Sequence, residues 1–512
     1  MSYKEAFRSF RALVSVRYVP RVLVFVGVLL LVLPVTSQQW IQLLPSGGPP
    51  AARDFHSQVY DPFTNRMIVF GGRSVAGGSC VTLNDTWVLT NANGLGGTST
   101  WTQLNPGSVL PVRATHSAAY DSGTNRMIVF GGTADSICVG VQTLANDVWV
   151  LSNANGSEAA VPTWMQLVTA GGPPPARWLH TTSYDATTNR LILFGGGVVG
   201  GGAFNDVWVL SHANGLGGTP TWMQLFPAGT PPPIRENHTA VFDSATNRLV
   251  VFAGDGNPTT VVFGDVWVLE HANGLGGTPT WTQLTPPGPL PAPRSGPSAI
   301  YDSTTNRMTV FGGVGGAFVP GFFANDVWVL ANANGLGGTP TWTQLTFTGT
   351  PAPNRGQHEA TFDVASNRMT VFGGSDAGGV LNDTWILTAA NGIPVLTVRI
   401  DIKPGSSPNS INLGSAGTIP VAILSTPDFD APAEVDPDSL RLAGAAVNLI
   451  GKSRRFQCSS QDVNGDGLPD LVCHFDTAQF FIEVGESVAV LEGQTLSGQP
   501  IRGEDSVRIV PD

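Results

Sequence analysis

Lysine is almost missing from this chain: Lys4, Lys403 and Lys452 are the only three in 512 residues. Charged residues make up 12% and the net charge is −11, so the clustered basic surface that nucleic acid requires is not available. Long apolar runs are also scarce. One, Val22 to Leu33, ends at Pro34 and is too short to cross a bilayer comfortably. It follows Lys4, Arg8, Arg11, Arg17 and Arg21 and precedes the small-residue stretch Val35-Thr36-Ser37, so residues 1–37 read as a secretory signal. The alternative is an uncleaved anchor from about Val19 to Val35, tethering the same exported domains. Tyrosine is scarce too, with Tyr60, Tyr120, Tyr184 and Tyr301 the only ones after the signal region.

What is abundant is glycine (62), proline (39) and evenly spread apolar residues (42%). That composition suits an all-β protein full of turns and argues against disorder. The length exceeds what one core fills, so two domains and a processed segment are expected.

From Trp40 a unit of about sixty residues recurs. Trp-x-Gln-Leu begins at Trp40, Trp101, Trp164, Trp222, Trp281 and Trp342, and a small-residue doublet begins at Gly71, Gly131, Gly195, Ala253, Gly312 and Gly373. Each unit holds four short β-rich segments: a (Arg-x-x-His), b (closing on the doublet), c (Asn-Asp-x-Trp) and d (Trp-x-Gln-Leu). A four-stranded sheet cannot bury both faces alone, so successive sheets must pack around an axis as a propeller. These marks resemble the kelch repeat over residues 38–390, which implies a six-bladed β-propeller. Blade four departs with Ala253 and Gly264, and blade five with Pro297 in place of histidine. The sixth unit has no trailing Trp-x-Gln-Leu, so Trp40-Ile41-Gln42-Leu43 is expected to close the ring.

Repetition decides how the polar residues are read. The Arg-x-x-His pairs Arg53/His56, Arg113/His116, Arg177/His180, Arg235/His238 and Arg355/His358 would ring the axis, where a metal or acidic ligand is conceivable. An element copied into five blades more economically serves each blade's own hydrogen bonding. The Asn-Ala-Asn-Gly-Leu-Gly-Gly-Thr stretches at 91–98 and 332–339 lack the lysine and helix of a phosphate loop and read as c–d turns. Resemblance to galactose oxidase would imply a copper site of two tyrosines and two histidines. All four tyrosines occupy the repeated Tyr-Asp position, so that chemistry is disfavoured.

The b–c loops vary, from Ser375–Leu381 to Thr133–Ala145, and the d–a loops are Pro-rich, as in residues 173–175 and 231–233. Recognition lives on variable loops held by a rigid scaffold. Phe204, Phe263, Phe318, Phe322 and Phe323 are the expected ligand anchors on this face.

After about Val395 the period disappears. Short strands between turns over residues 395–512 predict a β-sandwich. Ile-Lys-Pro-Gly-Ser at 402–406, Ile-Pro-Val-Ala-Ile-Leu-Ser-Thr at 419–426 and Asp-Val-Asn-Gly-Asp-Gly-Leu-Pro-Asp at 462–470 resemble a C-terminal domain of exported bacterial proteins. Within the last motif, Asp462, Asn464, Asp466, the carbonyl of Leu468 and Asp470 match the start of a calcium loop, with Cys473 standing where an EF-hand has glutamate. Calcium is the cofactor expected. Four cysteines fit an oxidising compartment, with Cys80 and Cys138 placed to bridge neighbouring blades and Cys458 and Cys473 to staple a turn-rich segment.

Together these features predict a secreted or cell-surface propeller that binds an extracellular protein or a glycan. The alternative is a sugar-modifying enzyme, mutarotase- or oxidase-like, with its site in the propeller mouth.

Overall fold

The computed structural model describes residues 35–36, 38–135, 138, 142–157, 160–256, 261–315, 322–412, 417–452, 454–480 and 488–510. Most of the expected signal segment therefore lies outside the described residues. Among those described, no helix is long and apolar enough to cross a membrane.

Six antiparallel four-stranded sheets follow one another along residues 40–388. In the first, a is Ser57–Asp61, b Arg66–Phe70, c Thr86–Thr90 and d Thr100–Leu104. Strand b is a continuous buried run because both its faces meet neighbouring sheets, so it does not alternate. Each a strand touches the next, and Glu359–Asp363 of the sixth sheet returns to Ser57–Asp61 of the first, closing the ring. Trp40–Leu43 supplies the sixth sheet's d strand. It pairs with Thr384–Thr388 in the register Trp40↔Leu387, Ile41↔Ile386, Gln42↔Trp385 and Leu43↔Thr384.

One aromatic contact repeats around the whole ring. The indole of each d strand packs on the phenylalanine before the doublet of the preceding blade: Trp164 on Phe70, Trp222 on Phe130, Trp281 on Phe194, Trp342 on Phe252, Trp40 on Phe311 and Trp101 on Phe372, with centroids 4.8–5.1 Å apart. Rings at this separation and tilt bury large apolar areas and add specific geometry. The doublet must be small because the next blade's backbone sits against it: a Cβ on Gly71, at φ +64, would lie 2.5 Å from the Arg113 carbonyl.

The c–d turns lock the same interfaces from the other side. Asn155 Nδ2 donates to Asp61 Oδ2 (2.6 Å) in the preceding a–b turn, and Arg66 donates to the Asn155 carbonyl (3.0 Å). Equivalent asparagine-to-aspartate bonds run from Asn214 to Asp121, Asn273 to Asp185, Asn334 to Asp243, Asn391 to Asp302 and Asn93 to Asp363. The apparent phosphate loop is thus an interblade clasp.

Beyond Val395 two sheets share one apolar core that includes Ile402, Val421, Leu442, Phe475 and Leu491. One sheet holds Arg399–Ile402, Thr418–Leu424, Asp470–Asp476 and Cys458–Gln461; the other holds Val488–Gln494 and Pro500–Ser506. Cys458 and Cys473 stand directly opposite in the first sheet and form a disulfide, with Cα atoms 4.1 Å apart.

Candidate functional site: the loop face and the axial cavity

Each repeated arginine is buried and forked onto the aspartate of strand c. Arg177 donates to Asp206 Oδ1 and Oδ2 (2.6 and 2.9 Å) and to the Gly195 carbonyl (2.8 Å), while Trp208 Nε1 donates to the same carboxylate (2.7 Å). All six blades carry this bidentate pair, including Arg294 with Asp326 in blade five. Burial opposes ionisation of Asp85, yet the hydrogen bonds and charge of Arg53 hold its carboxyl below the usual range. These residues brace the blades and leave no guanidinium free to hold a ligand.

The histidines ring the axis as expected, but as wall material. Each ring lies edge-on to a neighbouring phenylalanine, as His116 does to Phe70 at 5.3 Å. Burial, then the adjacent arginine, pushes His56 and His180 down to about 3, so the imidazoles are neutral. Three of them meet a hydroxyl on the preceding blade: His116 and Ser57 (2.8 Å), His238 and Thr181 (2.9 Å), His358 and Ser298 (2.8 Å). Among the described residues, no group of three or more His, Cys, Asp or Glu side chains is arranged to hold a metal. The tyrosines are likewise occupied, with Tyr60, Tyr184 and Tyr301 each donating to an asparagine of its own a–b turn at 3.1 Å.

The a strands enclose an axial cavity of about 160 Å³. The residue after each histidine, or after Pro297 in blade five, faces it: Ser57, Ser117, Thr181, Thr239, Ser298 and Glu359. Five are hydroxylated and the sixth is an acid. Repetition concealed Glu359 from the sequence reading, since it follows a regular Arg-x-x-His; comparing the residue after histidine across the units would have found it. Burial alone pushes its carboxyl up to about 8.

The loop face surrounds the mouth of this cavity. Phe204 and Phe263 are half-buried, their rings lying over the guanidiniums of Arg177 and Arg235 at 4.1 and 4.5 Å. Phe322 is 63% exposed, Phe323 is half-buried, and Phe318 lies outside the described residues. Of the expected anchors, two are thus stacked on arginine and one projects freely. Cys80 and Cys138, in the b–c loops of blades one and two, are joined by a disulfide. Non-repeat acids also gather here, with Trp178 donating to Glu236 (2.9 Å) and Ser295 to Asp255 (2.5 Å).

In the C-terminal sheets, Asp462 to Asp470 forms an exposed turn between the two strands joined by the Cys458–Cys473 bridge. Its acceptors are organised by the loop's own N–H groups. Asp462 accepts from Gly465 and Gly467 (2.8 and 3.0 Å), Asn464 from Asp466 (2.9 Å), and Asp466 from Leu468 (2.9 Å). Asp470 is buried and accepts from Ser425 and Val463 (2.8 and 3.0 Å), so its carboxylate ties the turn to the sheet. Each carboxylate oxygen retains a lone pair, which is the chemistry an oxygen-seeking cation requires.

A closed ring of four-stranded sheets with these interblade clasps defines a β-propeller, a scaffold whose binding functions reside in its loops. The KLHDC2/KLHL20/DRC7 kelch-repeats domain matches residues 27–162, 158–275 and 277–393, and the chain belongs to the kelch-repeat family. Kelch propellers are in general protein-binding modules. Adagio-like protein 3 of Oryza sativa subsp. japonica is 27% identical over 331 residues, covering 63% of this chain and 46% of the relative. The F-box/kelch-repeat protein At1g51550 of Arabidopsis thaliana is 30% identical over 288 residues, 54% of each. The chain thus spans about half the length of these relatives. Among solved structures, that of YjhT overlays 66% of this chain and 95% of its own at 14% identity, with a TM-score of 0.47.

Proposed function

We propose that this kelch propeller is exported and binds a protein or a glycan at the cell surface or outside the cell through its b–c and d–a loops. The observation that carries this reading is the contrast between the two faces. The a–b and c–d turns are spent on interblade hydrogen bonds repeated in all six blades, whereas the other face differs from blade to blade and is stapled by Cys80–Cys138. A bridge between two surface loops is consistent with an oxidising compartment. Probing protein and glycan arrays with residues 38–512 tests the proposal. Replacing Thr133–Ala145 or Phe322 should abolish the signal while changes at Leu95 and Leu216 on the opposite face leave it intact; equal loss from both faces would refute it.

The second domain is proposed to bind calcium through Asp462, Asn464, Asp466 and the Leu468 carbonyl, with Asp470 anchoring the turn. The ion would tie the exposed turn to the strands that the Cys458–Cys473 bridge already joins.

A further inference from the structure

At the position after the repeated histidine (Pro297 in blade five), the six units differ in chemical type at one side chain. Where five blades present a serine or threonine hydroxyl, blade six presents Glu359. By the repeat register the residue after histidine serves the imidazole of the next blade, as Ser57 serves His116, so Glu359 stands in the place that would serve His56. That service is not performed. His56 is 1% exposed and both its ring nitrogens lack a hydrogen-bond partner. At the adjoining wall the Ser117 hydroxyl is likewise unmet. Buried polar atoms are normally paired, and unmet ones around a shared cavity mark where a ligand or ordered water completes them.

The charge of the cavity selects the ligand. Among the described residues no lysine or arginine side chain lines it, the histidines are neutral, and Glu359 makes no side-chain hydrogen bond or ion pair. The wall therefore offers one carboxyl together with hydroxyls and imidazoles able to donate or accept. A volume of about 160 Å³ holds about five waters at roughly 30 Å³ each. We infer that the axial cavity is a binding site for a small hydroxylated organic amine, its ammonium on Glu359 and its hydroxyls on the Ser/Thr and histidine ring.

This site is separate from the loop surface proposed above and does not depend on it. Titration calorimetry of the full chain in phosphate buffer at pH 7 tests it, with D-glucosamine and tris(hydroxymethyl)aminomethane as amines and D-glucose and glycerol as neutral probes. At least one amine is expected to bind about tenfold more tightly than its neutral counterpart, and because Glu359 holds its proton at pH 7 until an ammonium displaces it, binding of the amine releases a proton. Glu359→Gln should remove that preference. Glu359→Ser, which restores the residue type of the other blades and so preserves folding, should do the same. Binding of neither amine, equal binding of amine and neutral probe, or an undiminished preference in both variants would overturn the inference.

Discussion

Trp40 closes the ring, and the consequence is testable. Its indole is 3% exposed and lies against Phe311 and Phe347, with centroids 4.8 and 6.2 Å away. Truncating a buried tryptophan costs about 3–5 kcal/mol, so Trp40→Ala should match Trp281→Ala, the equivalent change within a blade built from continuous chain. Deleting residues 38–45 does more. It also removes the ladder to Thr384–Thr388 and the flanking bonds from Thr388 N–H to the Gln39 carbonyl and from Thr348 N–H to the Gln38 carbonyl, each 3.0 Å. About four such bonds at a net ~1 kcal/mol each bring the total to roughly 7–9 kcal/mol. That is comparable with the whole stability of a typical domain, about 5–15 kcal/mol. Urea unfolding followed by tryptophan fluorescence gives the energies, and hydrogen exchange at Thr384–Thr388 reports the bared edge. If the deletion costs no more than Trp40→Ala, or leaves those amides protected, the strand does not close the ring.

Removing one buried fork, as in Arg177→Ala, strands Asp206 beside an emptied pocket and should cost about 3–5 kcal/mol in urea titrations; a change below 1 kcal/mol would contradict the bracing role. The five neutral histidines bind protons when the chain unfolds. Their folded values lie below the ordinary 6.5, so their contribution to stability is full above that pH and is lost as pH falls towards about 3; a melting temperature flat between pH 6.5 and 4.5 would refute this. Glu359 acts in the opposite sense. Its carboxyl is raised from 4.5 to about 8, so the folded state holds the extra proton and stability declines as pH rises through that window; Glu359→Gln should flatten the decline. If calcium occupies the Asp462–Asp470 turn, chelation with EDTA lowers the C-terminal domain's melting temperature in the wild type and has no further effect in Asp466→Ala; insensitivity of both would exclude it.

Much of the architecture was legible because it is local. Strand boundaries, the small doublet and the missing final Trp-x-Gln-Leu can be counted along the chain, and the counting located the closure at Trp40. The roles of the polar repeats were legible only as a class. Nothing local says that Asn155 clasps Asp61, 94 residues earlier, or that Trp164 rests on Phe70. Phe204 and Phe263 look like free loop anchors in the sequence because their arginine partners lie 27 and 28 positions earlier.

By itself, then, the sequence determined the unit, its number, its strands and the point of closure, since periodicity and turn chemistry act between near neighbours. Tertiary structure decided which polar residues are consumed in holding blades together and which remain. Glu359 belongs to the second group: its meaning arises only where six a strands converge, and a residue ordinary in its own blade becomes the one acid among the described residues that line the axial cavity.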